Sequence, residues 1–153
     1  MLGLTPEAPD LETAFQGRKP EETVTITQDD LRTVCSRAEK QEDAAIIAFG
    51  CPQMTLEEAT EIGRHFVGKK IRKQVLFHLV PASAEAFAQT DLYQDVLNAG
   101  VEIHQHCPLA GLSLRIGIGK KNVLTPSGKL YYYLEGTEYG NVDDVLRAAG
   151  VLD

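Results

Sequence analysis

The sequence predicts a three-layer α/β/α domain on a mainly parallel sheet. Apolar runs at Ala44–Phe49 and Gln74–Val80 and an alternating run at Val101–His106 are separated by helix-patterned stretches. Strand–helix–strand at this spacing implies right-handed crossovers and parallel pairing. The junctions also carry their own stop signals: Gly50, Gly68, Pro81 and Gly100 each close a periodic segment.

Residues 1–25 differ from the rest. The first ten contain two prolines and no period, and Leu11–Phe15 allows one turn of helix before Gly17 and Pro20. This segment is expected to be an arm, and residues 26–153 a single α/β domain. Leu31, Val34, Cys35 and Ala38 share one helical face, so Gln28–Lys40 is expected to be an amphipathic helix with Cys35 packed inward. After Ala44–Phe49 and a Gly50-Cys51-Pro52 turn, Thr55-Leu56-Glu57-Glu58 forms a capping box and opens a helix to about Val67. Two short helices should follow the second strand, Ser83–Gln89 and Asp91–Ala99, the latter capped by Thr90. Leu114–Gly119 reads as a strand or a loop, and Lys120–Pro126 as a polar connection. Ser127 then caps a segment of ambiguous period, Thr137–Tyr139 is a short strand, and Asn141 caps a last helix over Val142–Ala149.

Composition excludes several functions. A formal net charge of −7 argues against binding a phosphate backbone. The basic cluster Lys69-Lys70-Ile71-Arg72-Lys73 is expected to be a solvated turn after a helix end. No apolar run approaches the roughly 20 residues that span a bilayer. Three cysteines make a poor disulfide framework, so the thiols are expected to be reduced and the protein cytoplasmic.

The chemistry on offer is concentrated in two places. Gly50-Cys51-Pro52 and His106-Cys107-Pro108 each put a thiol after a buried strand. In an open α/β sheet, the carboxyl ends of the strands form the ligand crevice. Thiols there are soft ligands suited to an iron–sulfur or other thiolate-bound metal centre, although small buried cysteines are also ordinary packing. His104 and His106 share a strand face with Cys107 on the other, so one tetrahedral site using all three would need the strand to break. His65 and His78 have no partner visible in the sequence. Ser127-Gly128-Lys129 combines backbone N–H groups, a hydroxyl and an ammonium that could hold a carboxylate or phosphate, or could be a plain helix cap. Gly117-Ile118-Gly119-Lys120-Lys121 lacks the spacing and hydroxyl of a phosphate loop.

Taken together these segments resemble the aconitase X enzymes, a family of hydro-lyases, in the latter part of the large subunit. The resemblance runs from Leu4-Thr5-Pro6-Glu7-Ala8-Pro9 to Val145-Leu146-Arg147-Ala148-Ala149-Gly150. Family members carry a similar Thr-Pro-Glu-Ala-Pro segment, a Gly-Cys-Pro-His turn, a later cysteine turn and an Asn-Ser-Gly/Ala-Lys segment. Here the last three appear as Gly50-Cys51-Pro52-Gln53, His106-Cys107-Pro108 and Pro126-Ser127-Gly128-Lys129. The resemblance implies an aconitase-like domain in which Cys51 and Cys107 are two of three cysteine ligands to an iron–sulfur cluster. It places the third on a preceding segment that this chain lacks. Ser127, Gly128 and Lys129 would bind substrate, with Ser127 and Lys129 in catalytic roles. Gln53 replaces the family histidine, and Ala82-Ser83-Ala84 replaces an expected Ser-Arg.

Two functional expectations follow. One is a component of an iron–sulfur dehydratase of a small hydroxy acid, incomplete alone and completed by the remaining large-subunit and small-subunit domains. The other is a catalytically inactive binding or regulatory module without a cluster. A metal-free small-molecule binder is a third.

Overall fold

The computed structural model describes residues 1–36, 44–112 and 122–153, with the side chains of 34–36 outside the description. The Gln28–Lys40 helix is therefore seen as α2, Gln28–Ser36, while the Cys35 side chain, Leu114–Gly119 and the Lys120–Lys121 pair lie outside the described residues.

The chain divides into two units, 1–31 and 32–153. The first holds α1, Leu11–Phe15, whose Asp10 cap accepts from Thr13 N at 2.7 Å. Gln16 closes that helix in the left-handed conformation. The start of α2 is fixed reciprocally: the Asp30 carboxylate accepts from Thr27 N–H and hydroxyl, and Thr27 Oγ1 accepts from Asp30 N. This is the logic of a capping box with Asp in the place of Glu.

The second unit is built on five parallel strands: β1 Ile46–Met54, β2 Gln74–Leu79, β3 Glu102–His104, β4 Val123–Thr125 and β5 Thr137–Tyr139. Their order is β3-β2-β1-β4-β5. Between them lie α3 Leu56–Gly63 with a 3₁₀ turn at Arg64–Phe66, α4 Pro81–Phe87, α5 Asp91–Ala99, α6 at residues 108–112, and α7 Gly128–Tyr133; α8, Val142–Ala149, follows β5. Right-handed crossovers decide the faces. From β1 to β3 the chain steps one way along the sheet, and α3, α4 and α5 cover one face with Ile47, Phe49, Val75, Phe77 and Leu79. From β4 to β5 it steps the other way, so α7 covers the opposite face, where Ile46, Ala48, Leu76 and Val123 meet Leu130 and Leu134. The final helix, α8, returns to the first face over Leu124. Because both faces are covered, Ile46 to Phe49 are all 1% exposed or less, which explains an unbroken apolar run in place of alternation. No helix among the described residues is long and apolar enough to cross a membrane.

Several elements match the sequence expectations: the Thr55 capping box, the Gly100 stop, the Ser127 and Asn141 caps, and β5. Others need correction. Gly50-Cys51-Pro52 is not a turn after β1 but part of it, because Met54 regains pairing with Leu79 after a bulge. The Lys120–Pro126 connection contains β4, a fully buried strand too short to show a period. Proline opens α4 at Pro81, two residues before the expected start, as its fixed φ suits the first helical position. Thr90 makes no side-chain cap bond; its hydroxyl donates back to Phe87 O at 2.7 Å. The strand β3 stops at His104 instead of His106.

The bulge in β1 has a local cause. Gly50 has φ +99, and a Cβ there would overlap the His78 carbonyl oxygen. The peptide bond that follows Cys51 is cis. Gly50→Ala should therefore destabilise the domain by about 1–3 kcal/mol, the range for forcing a side chain into such a conformation. A shift of the urea midpoint at unchanged slope would register it, and an unchanged midpoint would show that the bulge tolerates a side chain.

Candidate functional site

The strand order makes β1 and β4 a switch point, since the chain leaves β1 toward β2 while β4 lies on its other side. Parallel sheets bind ligands in the crevice beyond the carboxyl ends at such a point. A cleft of about 520 Å³ opens there. Gly50, Cys51 and Pro52 of β1 line it, with Pro126 and Ser127 after β4, and α3 and α8 supply Glu58, Glu61 and Asp143. His65 and Ile62 complete that wall.

The end of β4 is stitched to β1. Thr125 Oγ1 donates to Ala48 O at 2.7 Å and accepts from Ser127 N at 3.2 Å. The Ser127 hydroxyl donates to Cys51 O and accepts from Leu130 N at 3.0 Å, capping α7. A hydroxyl has one proton, and here the Cys51 carbonyl takes it. Ser127 is buried, while Gly128 and Lys129 are exposed.

Cys51 is 7% exposed and packs with Leu112, Leu130 and Leu134. Burial pushes its thiol pKa up; the Ser127 hydroxyl and the Lys129 charge pull it down, and Cys107 adds to the rise. These interactions put Ser127, Lys129 and Cys107 within electrostatic reach of the Cys51 sulfur. Cys107 is itself exposed. Cys51, Cys107 and Ser127 thus lie at the carboxyl ends of β1, β3 and β4, and Lys129 in the first turn of α7. Gly128 offers backbone alone.

Sequence reasoning missed two features. Gln53, in the bulge, donates through Nε2 to Leu79 O at 2.9 Å and to Gln105 O at 3.0 Å. His78, His104 and His106 form a ring cluster with centroids 4.9–5.3 Å apart. His78 and His104 are register partners on β2 and β3, and His78 Nδ1 lies 3.3 Å from His106 O. Glu102 Oε2 sits 3.3 Å from His104 Nε2. Pairing register was the signal for the first two histidines. His106 lies beside both, on the side that i, i+2 alternation gives His104 and His106. Among the described residues, no group of three His, Cys, Asp or Glu side chains has the arrangement of a metal site.

Residues 44–151 match the family model described as the aconitase X third domain. Over 93 residues the chain is 28% identical to cis-3-hydroxy-L-proline dehydratase from Pseudomonas aeruginosa, an alignment covering 60% of this chain and 16% of that protein. The fold matches the crystal structure of Thermococcus kodakaraensis aconitase X in its holo-form with a TM-score of 0.68 and 22% identity, over 88% of this chain and 38% of that one. The chain therefore spans much less than the length of either relative, and with most of it matched by the third-domain model, it belongs to the aconitase X family.

Proposed function

We propose that this chain is a component of an aconitase-X-type hydro-lyase acting on a small hydroxy acid, incomplete without further domains or chains. The observation that carries this reading is that Cys51 and Cys107 lie at the carboxyl ends of the parallel strands β1 and β3 in a domain of this family. Two thiols are the right donors for an iron–sulfur cluster, but without a third ligand they do not make a site on their own. Cys51 and Cys107 would supply two thiolates, and a cysteine outside this chain the third. Such a cluster, when bound, supplies a Lewis acid for a substrate hydroxyl.

The chain's own residues would divide the remaining work. Ser127 holds the Cys51 carbonyl and so fixes the strand that carries the thiol. Lys129, exposed in the first turn of α7, would pair with a substrate carboxylate or take a proton next to it. The limited span relative to the dehydratase fits a role completed by large-subunit and small-subunit partners. The second reading is an inactive binding module without a cluster. The packing of Cys51 as a small buried thiol against Leu112, Leu130 and Leu134 favours it.

Anaerobic reconstitution separates the two. Co-expression with the missing domains should yield an iron-containing complex that loses its iron in Cys51→Ala and in Cys107→Ala. Iron content indifferent to both substitutions supports the module instead. Dehydratase turnover by the purified single chain would overturn the claim of incompleteness.

The thiols also make a pH prediction for the metal-free chain. Alkylation followed peptide by peptide should give Cys51 a midpoint above the ordinary 9.0, with burial as the main cause. Lys129→Ala should move that midpoint further up, since the lost ammonium favoured the thiolate. A midpoint at or below 9.0, or one indifferent to Lys129, would contradict the electrostatics described here.

A further inference from the structure

We infer that Gln53 is the positioning residue that holds the Cys107 loop in place relative to Cys51. This rests on the proposed pairing of the two thiols but concerns a residue that the pairing itself does not require.

Ladder pairing between β2 and β3 ends at His78 and His104, so the chain reaches Cys107 after leaving the sheet. Gln105, His106 and Cys107 are all exposed, ahead of the buried Pro108 that starts α6. The Gln105 carbonyl is held by Gln53, and the His106 carbonyl by His78 Nδ1. Gln53 lies two residues after Cys51, and Gln105 two before Cys107. One side chain therefore runs from the strand bearing the first thiol to the loop bearing the second.

The same amide nitrogen also donates to Leu79 O, the last residue of β2. A primary amide has two N–H donors, and both acceptors are met. Beside it, Val80 N donates to Met54 O at 3.2 Å, so the far side of the bulge is anchored to the end of β2 as well. Neutral imidazole presents a single N–H and could not serve both carbonyls from one atom. The amide of Gln53 thus ties the loop to β1 and to the end of β2 at once.

Amide hydrogen exchange on the full chain tests this. In Gln53→Met, which keeps the side-chain length and removes both donors, exchange across residues 105–112 should rise about tenfold, the effect of losing such hydrogen bonds. Peptides from α3 and α5 should not change. Gln53→Asn keeps the amide but is one methylene short of spanning both acceptors, and should show a smaller rise confined to the same segment. Unchanged exchange at 105–112 in both variants would overturn the inference. An equal rise throughout the domain would do the same, by showing a general packing role. Cadmium uptake, read by thiolate charge-transfer absorbance, then addresses the pairing separately. A wild-type signal that weakens in Gln53→Met supports both ideas. No wild-type signal beside a local exchange effect removes the thiol pairing and leaves Gln53 as the loop's tie.

Discussion

Much of this domain depends on the close approach of Gly50 to the carbonyl of His78. Strand β1 is the central strand, buried on both faces, and a regular ladder would carry it straight past β2. The absence of a side chain at Gly50 permits that close approach, and between Phe49 and Met54 the chain swells while β2 advances only from Phe77 to Leu79. Bulges re-aim side chains at the ends of sheets, and the extra residues here are the ones that carry the candidate chemistry. Cys51 turns into the layer under α7, Pro52 is exposed, and Gln53 reaches across to β3's loop.

The two layers then contribute differently. Helices α3 and α8 supply an acidic wall to the cleft, through Glu58, Glu61 and Asp143. Glu58 is already committed to the capping box at Thr55. On the other side, α7 supplies Ser127 and Lys129, and α6 follows directly from Cys107. The thiols therefore belong to the α6–α7 side, whereas much of the open volume lies toward α3 and α8. Only the switch point, where β1 and β4 diverge in connectivity, gives both sides access to the same strand ends.

The long elements were legible because their signals are local. Thr55 and Asn141 announce helices through cap chemistry, and Ile46–Phe49 announces a buried strand through composition. Strand β4 was hidden because three residues carry no period, and its identity comes from pairing Val123 and Leu124 with Ile46 and Ile47 far away in sequence. The two cysteines could be singled out by position after strands, yet their shared edge depends on strand order, which sequence spacing does not encode. The contacts of His78 and Gln53 stayed hidden for the same reason. Each acts through a partner roughly 25 to 50 residues away, chosen by parallel register.

Exposure of the cysteines bears on which functional reading is stronger. A free cysteine buried in a core is unremarkable, since it packs as a small hydrophobe. Cys51 alone would support nothing beyond that, and its burial even disfavours the thiolate. Cys107 does not fit the same explanation. It is exposed, contributes to neither apolar cluster, and follows two exposed residues whose carbonyls are tied down by side chains from β1 and β2. Packing has no use for a thiol there, and a flexible loop has no use for the ties. Under the proposed reading, one thiol sits in the sheet and the second is presented outward on a loop held by Gln53 and His78. The metal's stabilisation of a thiolate would also reverse the protonation that burial imposes on Cys51, because a bound metal deprotonates its thiol ligand.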